Sequence, residues 1–188
     1  DALPICNWSD TTHWSLSSGG VPNGGCIPSQ LDTVIFDTAS FSAGLQTVTI
    51  DIVANCNSMD WTGVTDTPTL NIANGLFIYG SLTFVAAMNT VGGGSIYFKS
   101  SAAGNTITTA GQIINSSISF DGSGDWTLQD NLNTTSSIFL QEGTFNTNNN
   151  DINCYYFYSF TNLTRQLNLG SSAITCSGGW YISNGTNL

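Results

Sequence analysis

The residues best suited to chemistry in this chain are few, and most are carboxylates. Asp121, Ser123 and Asp125 occupy alternate positions, the first, third and fifth places of a calcium loop, so Ca2+ is the one cofactor the sequence offers. The EF-hand version also needs Gly at its sixth place and Glu at its twelfth, where this chain has Trp126 and Leu132. A second acidic set, Asp32, Asp37 and Asp51, could bring oxygen ligands together from separate segments. Asp121, Asp125 and Asp130 could instead supply the paired carboxylates of a glycosidase, which sit ~5–9 Å apart. A lyase acting on acidic sugars needs a cation as well, and Lys99 and Arg165 are the only two in the chain. His13, the single histidine, has no Gly-x-Ser-x-Gly nucleophile to serve. No catalytic residue is assigned on this pattern.

Aromatic side chains give a different kind of candidate. Tyr155, Tyr156, Phe157, Tyr158 and Phe160 form the densest such run, and strand alternation would expose about half of them. Tyr155, Tyr156 and Tyr158 are therefore candidate ligand-binding residues for sugar faces and hydroxyls; the competing reading packs them into a thicker part of the core. The interval from Leu140 to Leu169 is 29 residues, longer than its neighbours, which places an insertion near residues 147–151 or 159–165. Cys6 and Cys26 bracket a turn-rich loop and are the best disulfide candidates. Cys154 and Cys176 lie 22 residues apart, either as stacked apolar residues or as a second bridge, and Cys56 is left over as a small buried hydrophobe. No Cys-x-x-Cys pair suggests zinc.

The elements that must position these residues are strands. Ser95-Ile96-Tyr97-Phe98, Ser117-Ile118-Ser119-Phe120 and Ser137-Ile138-Phe139-Leu140 begin alternating segments 22 and 20 residues apart. The Gly122-Ser123-Gly124 corner followed by Trp126 is echoed by Met59-Asp60-Trp61 before Gly63 and by Gly178-Gly179-Trp180. Further short strands are expected at 70–72, 76–79, 81–85 and 106–109. No helical spacing of apolar residues persists over ten positions. The sequence predicts an all-β protein, a parallel β-helix (β-solenoid) whose coils stack at ~4.8 Å, so that residues one period apart touch and Asn and Thr form side-chain ladders. An antiparallel β-sandwich is the alternative, but it needs many tight hairpins, and Asn74-Gly75 and Asn184-Gly185 are the best candidates. Residues 1–30, with Trp8, Trp14 and the Val21-Pro22-Asn23-Gly24-Gly25 turn, read as an N-terminal cap over the open coil end. Residues 31–188 read as coils. The run Ser183 to Leu188 looks like the middle of another rung, which suggests a piece of a longer protein.

Leu31-Asp32-Thr33-Val34-Ile35-Phe36-Asp37, Val48-Thr49-Ile50-Asp51, the Phe120–Asp130 stretch and Leu167-Asn168-Leu169-Gly170-Ser171-Ser172 resemble the large repetitive surface proteins of Bacteroidetes. The resemblance covers nearly the whole chain. It implies a secreted, adhesin-like β-helical protein of the kind exported by the type IX system, although the sorting domain typical of them is absent. Location and architecture follow from it; chemistry does not.

Charge narrows the partners. The net charge is −10, yet only 7% of residues are charged, so Asn, Ser, Thr and Gln supply the polar surface. Nucleic acid and anionic membranes both call for a basic patch that two cations cannot make. No run approaches ~18 apolar residues, so membrane insertion is not expected. An extracellular or cell-surface polysaccharide, further domains of the same chain or other copies of it are the expected partners. The expected function is a non-catalytic structural or adhesive solenoid segment; a carbohydrate-binding module and a polysaccharide hydrolase are the alternatives.

Overall fold

The computed structural model describes residues 6–22 and 26–183. The Asn23–Gly25 part of the expected cap turn, the Asn184-Gly185 turn and most of the expected final rung lie outside the described residues.

The fold is a parallel β-solenoid of about seven turns. Every strand pairing among the described residues is parallel, which rules out the sandwich alternative. The chain reaches this arrangement because short alternating runs recur at nearly constant spacing, so each one lies on its counterpart a coil earlier. One column runs Ala54, Leu76, Ile96, Ile118, Ile138, Phe157 and Trp180, each partnered with the next. A second runs Val34, Met59, Leu82, Ile107 and Leu128. A third takes Cys6, Val48, Leu70 and Thr90, with a set through Leu132, Ile152 and Ile174 further along the chain. The Ser-Ile starts at 95, 117 and 137 fall in register as the repeat predicts. Observed strands at Thr69–Asn71, Leu76–Ile78, Leu82–Thr83 and Asn105–Thr108 match the expected segments within a residue or two.

Inward residues fill the coil. Phe98 stacks on Phe120 at 5.3 Å between ring centres, Phe120 on Phe145 at 4.1 Å, and Phe157 on Trp180 at 4.9 Å. Trp126 is fully buried, and its indole N–H donates to the carbonyl of Gly80 at 3.2 Å. Burying such rings contributes about 2–3 kcal/mol each in transfer terms, which is how short strands hold together without helices.

At the N-terminal end, Cys6–Asn7 pairs beside Thr47–Thr49, and Thr11–His13 makes a single 3-10 turn. Trp8 is buried, Trp14 donates its indole N–H to the Trp8 carbonyl at 3.0 Å, and Phe36 stacks on Trp61 at 4.1 Å. The described part of residues 1–30 thus includes a partial rung as well as a covering loop.

The 29-residue interval is not a single insertion. Ile138 pairs with Phe157, an offset of 19, whereas Gly143 pairs with Arg165, an offset of 22. The extra three residues therefore lie between Ser159 and Arg165. Residues 147–151 form an ordinary corner, because Leu132 and Ile152 on its far side are in register.

Candidate functional site

Asp121, Ser123 and Asp125 lie on the long bent strand Ser117–Leu128. Gly122 and Gly124 permit the bend, since a Cβ on either would fall far inside contact with the carbonyls of Ser100 and Ala102 on the coil beneath. The two carboxylates have different partners. Asp121 takes an ion pair from Lys99, and Asp125 accepts the backbone N–H of Gly104. Ser123 is exposed between them. Asp130, the third member of the candidate hydrolase set, accepts the N–H of buried Thr109 at 2.7 Å. Each of these partners sits about one coil away in sequence. Among the described residues, no three His, Cys, Asp or Glu side chains are grouped as metal ligands.

The same cross-coil use extends along the molecule. Asp151 accepts from the Ala173 N–H at 2.8 Å, Asn149 from the Ser171 N–H at 3.0 Å, and the Asn131 side chain from the Asp151 N–H at 2.8 Å. Asn153 donates to its register partner Asn133 at 2.8 Å, the amide ladder expected of a stacked coil. At corners the backbone ladder lapses, and these short polar side chains supply the missing acceptors.

The second acidic set is also dispersed. The Ser29 hydroxyl and N–H hold the Asp32 carboxyl below its usual range. Asp37 is lowered chiefly by Ser18, with Ala39 and Ser40 adding to it. Desolvation opposes ionisation of Asp51, but bonds from the Ser9 hydroxyl and N–H outweigh it and leave this carboxyl lowered too. Asp10 is lowered by Thr12 and neighbours His13 at 3.1 Å.

The tyrosines do come together, with partners that the linear sequence hid. Tyr158 lies in an outward column between Phe139 at 5.0 Å and Tyr181 at 5.2 Å, its ring nearly parallel to both. Both of its faces are thereby covered. Tyr155 and Tyr156 meet edge to face at 4.3 Å, and the bond between them raises the Tyr156 hydroxyl pKa. Exposed aromatic surface belongs mainly to Tyr155, 47% exposed, and Tyr181, 51% exposed, while Phe160 meets Tyr158 edge to face. Phe157 faces the core, as alternation expects. Tyr181 and Phe139 were missed because they stand a coil away from the run in sequence; only the register unites them.

A hollow of about 510 Å³ opens between the N-terminal loop and the first coil, lined by Trp14, Phe36, Phe41 and Val48 among others. Cys6, Cys26 and His13 also line it. All five cysteines are free thiols, so the expected Cys6–Cys26 bridge is not formed in this structure. Burial, helped by Asp10 and Asp51, pushes the Cys6 thiol up to about 11, and burial alone takes Cys56 to about 12.

Sequence reasoning also missed the place of Arg165. It is buried, its Nη1 donates to the carbonyls of Thr161 at 2.6 Å and Leu163 at 3.2 Å, and its Nη2 donates to the Ser183 carbonyl at 2.6 Å. The guanidinium thus pins the three extra residues and the end of the next coil. An isolated arginine in a chain almost devoid of cations was the available signal.

The fold and these contacts define a parallel β-solenoid whose polar side chains serve chiefly as coil-to-coil connectors. No protein family, curated protein or solved structure matches the chain. None of the helices among the described residues is long and apolar enough to cross a membrane.

Proposed function

We propose that this chain is a non-catalytic, structural or adhesive β-solenoid segment of a secreted or cell-surface protein. The observation that carries this reading is the engagement of the carboxylates best placed for catalysis. Asp121 is paired with Lys99, Asp125 accepts from Gly104, and Asp130 accepts from Thr109. A general acid or nucleophile must be free to face substrate, whereas these groups tie adjacent coils. The resemblance to repetitive Bacteroidetes surface proteins supports the location, and a low-charge surface rich in Asn and Thr suits a stiff spacer.

A second reading, carbohydrate binding, is favoured by the exposed rings of Tyr155 and Tyr181 on one outer face. Both readings meet in one experiment: the purified chain is incubated with insoluble neutral and acidic polysaccharides, and retention and new reducing ends are scored. A structural segment gives neither. Retention that disappears in Tyr155→Ala and Tyr181→Ala variants establishes the binding module. Reducing ends that vanish with Asp125→Ala would sink the non-catalytic reading.

A further inference from the structure

Cys154 and Cys176 occupy matching positions on consecutive coils. The strand Ile152–Ser159 pairs in parallel with Ile174–Ile182, and the register runs Ile152 to Ile174, Asn153 to Thr175, Cys154 to Cys176. Their sulfurs lie 3.4 Å apart as free thiols. Parallel neighbours stand ~4.8 Å apart, inside the Cα separation of about 4.4–6.8 Å that a disulfide tolerates. Closure needs the sulfurs to approach to about 2.05 Å, a side-chain adjustment with no change of register.

The two thiols differ in access. Cys154 is 5% exposed, and its thiol is pushed up to about 12 by burial and by its neighbour, which makes it a poor first nucleophile. Cys176 is only half-buried. An oxidant can therefore reach Cys176 first.

We propose that Cys154 and Cys176 form an oxidisable pair, closed by a small-molecule disulfide into a bridge that staples the coil bearing Ile174–Ile182 to the one beneath it. The Cys176 thiolate attacks the small disulfide, forming a mixed disulfide and expelling one thiolate. The Cys154 sulfur then attacks the Cys176 sulfur and expels the second. In sum, two protein thiols and one small disulfide give one protein disulfide and two small thiols, the two protons passing to the leaving thiolates. The protein pair is oxidised and the small disulfide is reduced. The bridge closes a loop of 21 intervening residues and would lower the opened population of that coil on the order of 100-fold.

The chain provides its own map for the test. Trypsin cuts after Lys99 and Arg165 alone, so Cys154 falls in fragment 100–165, Cys176 in fragment 166–188, and the other three cysteines in fragment 1–99. The folded wild-type chain is equilibrated with excess oxidised glutathione, alkylated, unfolded, digested and analysed without reductant. The expected result is fragment 100–165 joined to 166–188, separated again by a reductant. Separate fragments with both thiols alkylated, glutathione retained on Cys176, or a link through fragment 1–99 would each overturn the pairing. Hydrogen exchange tests the staple: amides of Ile174–Ile182 should slow on oxidation and recover on reduction, while Cys176→Ala stays fast in both conditions. A bridge that forms without slowing exchange would overturn the stapling role.

Discussion

At the scale of single residues, the acidic side chains singled out by their spacing each meet a partner on a neighbouring coil. The alternation of Asp121, Ser123 and Asp125 was legible in the sequence, whereas their cross-coil partners were not. Once Lys99 and Gly104 are placed a period away, each carboxylate has a partner. Asp130 makes this testable. Its carboxylate accepts the N–H of Thr109, a residue with no exposed surface. Asp130→Ala leaves that donor buried and unsatisfied and should lower unfolding free energy by about 1–3 kcal/mol. Asp130→Asn keeps an acceptor oxygen in place and should lose less than half of that. Urea unfolding of both variants decides it; equal losses would mean that the cost arises elsewhere than in the hydrogen bond.

At the scale of elements, the strands were legible and the corners only partly so. Ser-Ile starts at 95, 117 and 137 revealed the repeat because identical neighbours stack in register. The echo of tryptophans was a likeness of type and not of position. Trp126 pairs with Asn105 and Phe145, and Trp180 pairs with Phe157, while the N–H of Trp61 bonds to Thr83. Alternation does not encode bulges, so the offset that changes from 19 to 22 across residues 160–164 was visible only as an overlong interval. The aromatic patch suffered likewise: three of its tyrosines lay within four residues of sequence, but Tyr181 and Phe139 needed the register. Glycine at the corners carries a firmer message. A Cβ at Gly124 would meet the Ala102 carbonyl directly below. Gly124→Ala must therefore push two coils apart, an overpacking cost of typically 1–3 kcal/mol. Gly104→Ala is the informative contrast, since nothing lies within 4 Å of its Cβ and only its positive φ of 85° is strained. Thermal unfolding should rank Gly124→Ala as the more disruptive where coil contact, and not φ, governs; the reverse order would show that stacking at this corner is loose.

At the scale of the whole molecule, the carboxylates whose ionised form the fold favours gather at one end. The carboxylates held below their usual range, Asp10, Asp32, Asp37 and Asp51, all belong to the N-terminal loop and first coils. Further along, carboxylates such as Asp130 and Asp151 share the connecting role with amides such as Asn133 with Asn153 and Asn149 with Ser171, which do not titrate in this range. A carboxyl with a depressed folded pKa stabilises the fold above its unfolded value, near 3.9, and that contribution is lost as pH falls through the lower folded value. Acidification below about pH 4 should thus loosen the N-terminal end. Protonation also relieves the mutual repulsion of a chain with net charge −10, which opposes any uniform collapse of the structure. The tryptophans report this regionally, because Trp8, Trp14 and Trp61 sit in or against the N-terminal cluster and Trp126 in the central coils. In NMR spectra titrated from pH 6 to about pH 2.5, the indole N–H signals of Trp8 and Trp14 should shift or broaden before that of Trp126. Simultaneous loss of all of them would show that the solenoid melts as one unit and that its cap has no separate acid sensitivity.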